Sequence, residues 1–451
     1  MRLRLPHPLV LLLAGVGVAA LLTWILPAGA YDRRTDAASG RELVVAGTYK
    51  QLEAAPVGIM AAVLAVPRGI VAGADVILTI LMVGGAFALL DATGALGRLV
   101  GSLVGRTRNP KLVVIALCLI FATLGALENM QEELVALIPI ILVLSRGLGF
   151  GAITAVSMSV GSCAVGAAFG PTNPFQTGIA LRFAEMPPLS QPALRFGLLF
   201  AAVAVWIAWT LLMTSRDDVR PEGTPSDTEP ATPPATPPAT PPATGRDFVL
   251  LAIVLLPFIP YVIGVMKYDF GFNELSALFL VSGFAVGLVA GRGLSETATD
   301  FLKAMETMLA ASLFVGVARA ISVVLADGQV IDTIVHGLAT PLEHVPGVAS
   351  AILMIPIQAL LHIPVPSVSG QAVLTMPIMA PLSDLLGVSR DAAVIAYQTG
   401  AGLMDMLTPT SGALLAILLT AKVDFGRWLR FAIPGAMLVA LVGVAGIVLA
   451  R

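Results

Sequence analysis

Glu128, Glu132 and Glu133 stand together in GALENMQEE (125–133), with apolar sequence on either side. A carboxylate at membrane depth costs a few kcal/mol on insertion scales, so such residues persist where they handle protons, sodium ions or a cationic substrate group. The blander reading is a loop tip that reaches headgroup water; we expect at least one of the three to be functional. Asp405, five residues before Thr410, is a second candidate carboxylate. Asp75 and Asp91 fall near span ends, an interfacial position. Two other polar stretches, FGPTNPFQTG (169–178) and TPTSG (408–412), interrupt long apolar runs. There Pro171, Pro174 and Pro409 each remove a backbone donor and clash with the preceding turn, freeing carbonyls that can coordinate a cation. Thr172, Asn173, Thr410 and Ser411 place short hydroxyl and amide ligands beside them, so a sodium site at Asn173, Thr410 and Ser411 is the expected metal chemistry. Helix N-termini just past such breaks carry partial positive charge and suit a substrate carboxylate. A packing kink closed by Ser and Thr back-bonding would explain one such Pro-Thr; two at equivalent positions favour a site. Arg319 in VGVARAIS either pairs with a carboxylate, the bland case, or faces a substrate anion. His362 either relays protons or is a hydrogen-bonded structural residue.

The elements that must hold these residues are transmembrane. Of 451 residues 57% are hydrophobic and 12% charged, with a mean hydropathy of +0.92, a composition that calls for a bilayer. Charge-free windows of spanning length recur, and the reading is an all-α polytopic membrane protein. The expected spans are 9–27, 70–95, a hairpin over 112–145, a broken helix over 150–183, and 194–213. The second half gives 248–266, 274–291, 304–326, a hairpin over 348–386, a broken helix over 390–421, and 431–450. This divides the chain into an N-terminal repeat (1–213), a cytoplasmic Pro/Thr/Ala-rich linker (214–247) containing ATPP three times, and a C-terminal repeat (248–451) with one extra helix. The linker has nothing apolar to bury and favours extended, solvated conformations. The N-terminus imitates a secretory signal, but its apolar core is long and a retained first helix is expected. Lys and Arg in the short loops place the N-terminus in the cytoplasm. A net charge of −2, with no basic cluster, excludes a nucleic-acid partner, and Cys118 and Cys163 read as buried free thiols.

The repeat is explicit. Pro139, Ile140, Leu144, Ser145, Leu148, Gly149, Ala155, Val156, Pro171 and Thr172 recur as Pro377, Ile378, Leu382, Ser383, Leu386, Gly387, Ala393, Val394, Pro409 and Thr410, at a constant offset of 238. Because one extra span precedes the second copy, the two halves are expected to be inverted, each with a re-entrant hairpin and a discontinuous helix meeting at a midplane site. That is the architecture of many secondary transporters. A membrane-embedded hydrolase is the rival from another class, since His362 lies near Ser367 and Ser369, but a dyad needs no duplicated partner. An ion channel is a further alternative, though hairpins from opposite faces suit alternating access better.

These residues also resemble a known family. LPHPLV and WILPAGAYDR near the start, VGGAFALLDATGAL (83–96), the Glu132-Glu133 pair, NPFQTGIA (173–180), ARAISVVLADGQVIDTI (318–334), PSVSGQAVLTMPIMAPLSDLLGVSR (366–390) and PTSG (409–412) resemble the YfcC-like proteins. Those are grouped with the C4-dicarboxylate anaerobic carriers and the ArcD-type basic amino acid antiporters, within the wider ion transporter superfamily. The resemblance implies an elevator: a scaffold part that forms a homodimer and a moving transport part with both hairpins and both broken helices. By motif it implies ligand roles for Glu132, Glu133, Asn173, Ser367, Ser369, Gly370, Gln371, Thr410 and Ser411. Where family members often show GDGFSN, this chain reads GAGLMD (400–405), which alters the expected ion stoichiometry. The expectation is a non-enzymatic symporter or antiporter of the bacterial inner membrane, with no cofactor beyond a coupling proton or sodium ion. Its cargo would be a C4-dicarboxylate or a basic amino acid; three glutamates at one tip lean toward a cationic group.

Overall fold

The computed structural model describes residues 7–35, 42–106, 109–187, 189–214, 242–268, 270–345 and 347–450. Most of the ATPP linker lies outside them. Among the described residues, seven helices are long and apolar enough to cross a membrane, including Ala74–Ala92, Pro192–Thr214, Phe272–Val289 and Phe425–Leu449. Shorter apolar helices accompany them, so the chain is a multi-pass, mainly helical membrane protein.

Several boundaries differ from the sequence reading. The chain is not purely helical: in the loop expected over 28–68, Gly29–Ala30 pairs with Lys50–Gln51 and Arg33–Thr35 with Glu42–Val44, both antiparallel. Polar residues there alternate with Val, Thr and Tyr, a pattern for short exposed ribbons. The same loop holds the helix Ile59–Ala72, missed because Pro67 and Arg68 interrupt its apolar run. The expected span 70–95 begins only after Gly73 and is followed by a further helix, Ala95–Arg106, whose arginines hide an amphipathic period. The span 248–266 is divided into Gly245–Leu255 and Phe258–Tyr268 around Pro257, and 304–326 is the interior of a 34-residue helix, Leu294–Asp327.

Paired helices and interrupted helices occupy the ranges expected for the two hairpins and the two broken helices. In the first hairpin, Pro110–Glu128 starts on an Asn109 cap, and Asn129 ends it in the left-handed region at φ 58°. Gln131–Gly147 follows. The first broken helix runs from Ala152 to Phe169, through a wide π turn at Ser157–Gly161, and resumes as Pro174–Gly178 and Ile179–Phe183. In the second copy the hairpin is Val348–His362 and Val368–Leu385; the broken helix runs from Arg390 through a π turn at Gln398–Gly402 and resumes as Gly412–Ala421. The starts Val348, Arg390 and Gly412 and the end Ala421 lie 238 residues after Pro110, Ala152, Pro174 and Phe183, the offset of the sequence repeat. Even the caps correspond. The Asn173 side chain accepts from the Gln176 N–H at 2.8 Å, and the Ser411 hydroxyl accepts from the Leu414 N–H at 3.3 Å.

Glycine permits the closest helix contact. A Cβ on Gly125 would stand 2.0 Å from the Cys163 carbonyl oxygen, and one on Gly166 would stand 1.9 Å from that of Ala122. Helix Pro110–Glu128 therefore lies backbone to backbone on Ser162–Phe169, which fixes the first tip over the first break.

A buried polar network ties the halves together, and sequence reasoning did not anticipate it. Arg195, 3% exposed, donates to Asp391 Oδ1 at 2.6 Å, to Gln398 Oε1 at 2.7 Å and to the Ser190 carbonyl at 2.8 Å. Gln398 in turn donates to the Ala168 carbonyl and to Thr177 Oγ1, and Thr177 donates to the Gly170 carbonyl. Removing one partner of a buried pair strands the other charge, at about 3–5 kcal/mol. Arg195→Ala should accordingly lower the yield of folded protein, while Arg195→Ala combined with Asp391→Ala recovers part of it. Size-exclusion chromatography after mild heating checks this; a double variant no better than the single one would contradict it. Outside the spans, Arg98 clamps Asp247 at 2.6 and 3.0 Å and, with the Thr244 amide and hydroxyl, holds that carboxyl well below the usual range.

Candidate functional site

One polar cavity, of about 520 Å³, lies where both hairpin tips and both breaks meet. The first hairpin brings Asn129, Gln131, Glu132 and Glu133; the first break brings Phe175. Val365 to Ser369 come from the second tip, and Asp405, Thr410, Ser411, Gly412 and Ala413 from the second break. The long helix Leu294–Asp327 closes it with Val315, Ala318, Arg319 and Ser322. Larger grooves of about 920 and 550 Å³ flank the first helix, but their linings are almost wholly apolar; the smaller one reaches Thr410, and no charged residue of the polar cavity lines either.

The backbone dictates the electrostatics. Gln131–Gly147, Val368–Leu385, Gly412–Ala421 and the segment that starts at Pro174 all present their first turns to this cavity. These starts turn the positive ends of their helix dipoles toward it, while Asn173, Ser367 and Ser411 cap three of them by accepting from Phe175 and Gln176, from Gly370 and from Leu414. Glu132 and Glu133 sit in one such turn, which offsets part of the cost of placing them here. Arg319 adds the one full positive charge among the lining residues, and its guanidinium has no carboxylate within salt-bridge distance among the described residues. The bland reading of Arg319 as a paired cation thus finds no partner among the described residues, and the Glu128 side chain falls outside them. Arg319 stands within Coulomb range of Glu132, as do Asp405 and Asp75.

The structure brings together Glu132, Glu133, Ser367, Ser369, Asp405, Thr410 and Ser411 at this cavity. It does not bring Thr172, Asn173, Gly370 or Gln371 to the wall. Thr172 is exposed elsewhere. Asn173 is buried and fully engaged: its Nδ2 donates to the Gly125 carbonyl at 2.8 Å, and its Oδ1 accepts from the Phe175 and Gln176 N–H groups. Gly370 donates its N–H to the Ser367 hydroxyl at 3.3 Å, capping the helix of the second tip. Gln371 is buried behind that tip, bonded to His362 and Gln358. Of the expected sodium ligands, Thr410 and Ser411 reach the cavity; the Thr410 hydroxyl shares a 2.7 Å hydrogen bond with that of Thr408. The Glu128 side chain lies outside the described residues.

Gln131 was overlooked. It is 2% exposed, lines the cavity, and its Nε2 has no partner among the described residues. A buried amide donor left open toward a polar cavity is costly unless something accepts from it. The signal was in the sequence, since Gln131 directly precedes Glu132 in the tip, but the carboxylates drew the attention.

The chain is similar to known proteins over most of its length. The chain is 30% identical over 369 residues to the Escherichia coli (strain K12) protein YfcC, provisionally named a basic amino acid antiporter, covering 79% of this chain and 73% of that one. It is 26% identical to an uncharacterised protein of Haemophilus influenzae over 97% of this chain and 95% of that one. Among solved structures, Neisseria gonorrhoeae MtrF, described as one of a class of antimetabolite efflux pumps, aligns over 98% of this chain and 94% of its own, at 16% identity and a TM-score of 0.42. The pattern of the C4-dicarboxylate anaerobic carriers matches residues 5–451, and with the cavity, its four helix starts and the relatives in view, the chain belongs to that family of membrane transporters, DcuC.

Proposed function

We propose that this protein is a secondary active transporter, a symporter or antiporter, of a small carboxylate-bearing organic ion coupled to H+ or Na+. The observation that carries this reading is the convergence of four helix N-termini and Arg319, which has no salt-bridge partner among the described residues, on one cavity that also holds Glu132, Glu133 and Asp405. The positive helix starts and Arg319 would hold a carboxylate, and the acidic side a cationic group. The cargo classes named for the family and for YfcC, C4-dicarboxylates and basic amino acids, both carry a carboxylate. In this reading the two copies are inverted and move as an elevator in the bacterial inner membrane, with the N-terminus in the cytoplasm and a second copy of the chain as partner. The hydrolase alternative loses support, because the His362 ring nitrogens face Gln371 and Asp405 while the Ser367 hydroxyl caps its helix.

Uptake of labelled arginine, ornithine, succinate and fumarate into proteoliposomes, under imposed proton and sodium gradients, tests the reading. Gradient-dependent accumulation of at least one is expected; its absence for all four would refute the proposal.

A further inference from the structure

A buried relay of amides decides which nitrogen of His362 carries hydrogen. Gln371 Nε2 lies 2.7 Å from the Gln358 backbone carbonyl oxygen and 2.7 Å from Gln358 Oε1. A backbone carbonyl only accepts, so the nitrogen of the Gln371 amide must face it and Oε1 must face the other way. There Oε1 meets His362 Nδ1 at 2.8 Å. An amide oxygen also only accepts, so Nδ1 is the protonated nitrogen. The ring is 0% exposed, and its remaining nitrogen, Nε2, stands 3.3 Å from Asp405 Oδ1, which opens onto the cavity. With Nδ1 committed, a neutral ring turns a lone pair on Nε2 toward a carboxylate that offers only lone pairs. The contact is satisfied when one proton lies between them.

We infer that His362 and Asp405 form the proton-carrying site of this transporter, with one exchangeable proton held between Nε2 and Oδ1 and passed to and from the cavity through Asp405. The inference rests on the transport reading above. In the protonated pair the net charge is zero, and in the deprotonated pair it is −1. One proton enters from the water on one side and leaves to the other in each cycle, with no electron moved and no bond between heavy atoms changed. Among the described residues, the other charged or titratable groups that line the cavity or stand within Coulomb range of Asp405 or Glu132 are Glu132 and Glu133 on the first hairpin, Arg319 on the long helix, Cys163 and Tyr397 on the broken helices, and Asp75. They set the field at the proton. Among the described residues, His362 is the side chain in direct hydrogen-bond contact with the Asp405 carboxylate.

Two measurements test it. In 15N-histidine NMR of the purified full chain, the His362 signals are identified by their loss in His362→Gln. Nδ1 should bear hydrogen throughout the pH range, and the Nε2 resonance should move in Asp405→Asn. An unprotonated Nδ1, or an Nε2 resonance indifferent to Asp405→Asn, overturns the assignment without reference to transport. In proteoliposomes with the four labelled probes, the ratio of pH-gradient-driven uptake to gradient-free counterflow should fall by about tenfold or more in both His362→Gln and Asp405→Asn. Accumulation that follows sodium and ignores the pH gradient, or variants that keep the wild-type ratio, also overturns it. Absence of any flux in the wild type, beside the expected NMR result, refutes the transport reading and leaves the shared proton established.

Discussion

Replacing Gly166 by alanine is expected to strip the membrane of most folded protein. The added methyl would stand 1.9 Å from the Ala122 carbonyl oxygen, well inside any tolerable contact, and the obstacle is backbone, which no rotamer change relieves. Helix Pro110–Glu128 would have to retreat, yet it is pinned on either side: a Cβ at Gly170 would meet Ala126 Cα at 2.6 Å, and one at Gly125 would meet the Cys163 carbonyl. Overpacking into side chains costs roughly 1–3 kcal/mol, and a clash with backbone lies at or above that range. Against a net stability of about 5–15 kcal/mol this is a large fraction. Gly197→Ala is the matched control, since nothing lies within 4 Å of its added Cβ. Melting curves of the purified variants decide: Gly166→Ala should unfold well below wild type and Gly197→Ala beside it. Coincident curves would mean that the two helices do not approach as described.

The second large effect is on the cargo. Arg319→Gln removes the cavity's full positive charge and shortens the side chain while keeping it polar, and Glu132→Gln removes one of its carboxylates with length and polarity kept. A hydrogen bond to a charged group contributes about 1.5–3 kcal/mol, which is roughly 10–100-fold in affinity. Apparent KM for whichever probe the wild type carries should rise by that factor in each variant, with wild-type elution on size exclusion. Thr410→Ala should impair transport less, because its hydroxyl is already engaged by Thr408. Unchanged kinetics in both charge variants would remove the cavity from consideration as the cargo site.

Much of this was legible before any coordinates. The constant offset between Pro139 and Pro377 and between Thr172 and Thr410 anticipated element boundaries, the starts at Val348, Arg390 and Gly412 and the end at Ala421, because prolines and caps are local instructions that the chain carries twice; the hairpin tips and the π turns depart from it by a few residues. Asp405 and the Glu132-Glu133 pair were legible for a similar reason, since charge amid apolar sequence is conspicuous. What stayed hidden was tertiary. That Asn173 spends its amide on the Gly125 carbonyl depends on where another helix passes. The Arg195–Asp391–Gln398 network joins residues about two hundred positions apart, and each of them alone looks like an ordinary end-of-helix polar residue. The tautomer of His362 follows from an amide held by a backbone carbonyl, and no spacing rule encodes that. Ile59–Ala72 and Ala95–Arg106 escaped because window hydropathy averages away short or one-sided helices.

The 34-residue helix Leu294–Asp327 has a consequence for the lipids around it. Its first turns carry Glu296, Asp300, Lys303 and Glu306, whereas the apolar stretch Met308–Asp327 is 20 residues long. At 1.5 Å per residue that stretch measures about 30 Å, close to the thickness of the hydrocarbon layer. A rod with so little slack has no room to absorb a thicker bilayer except by standing more upright, or a thinner one except by leaning. Either response would change the depth of Arg319, so under the transport reading acyl-chain length is expected to alter turnover through this one helix.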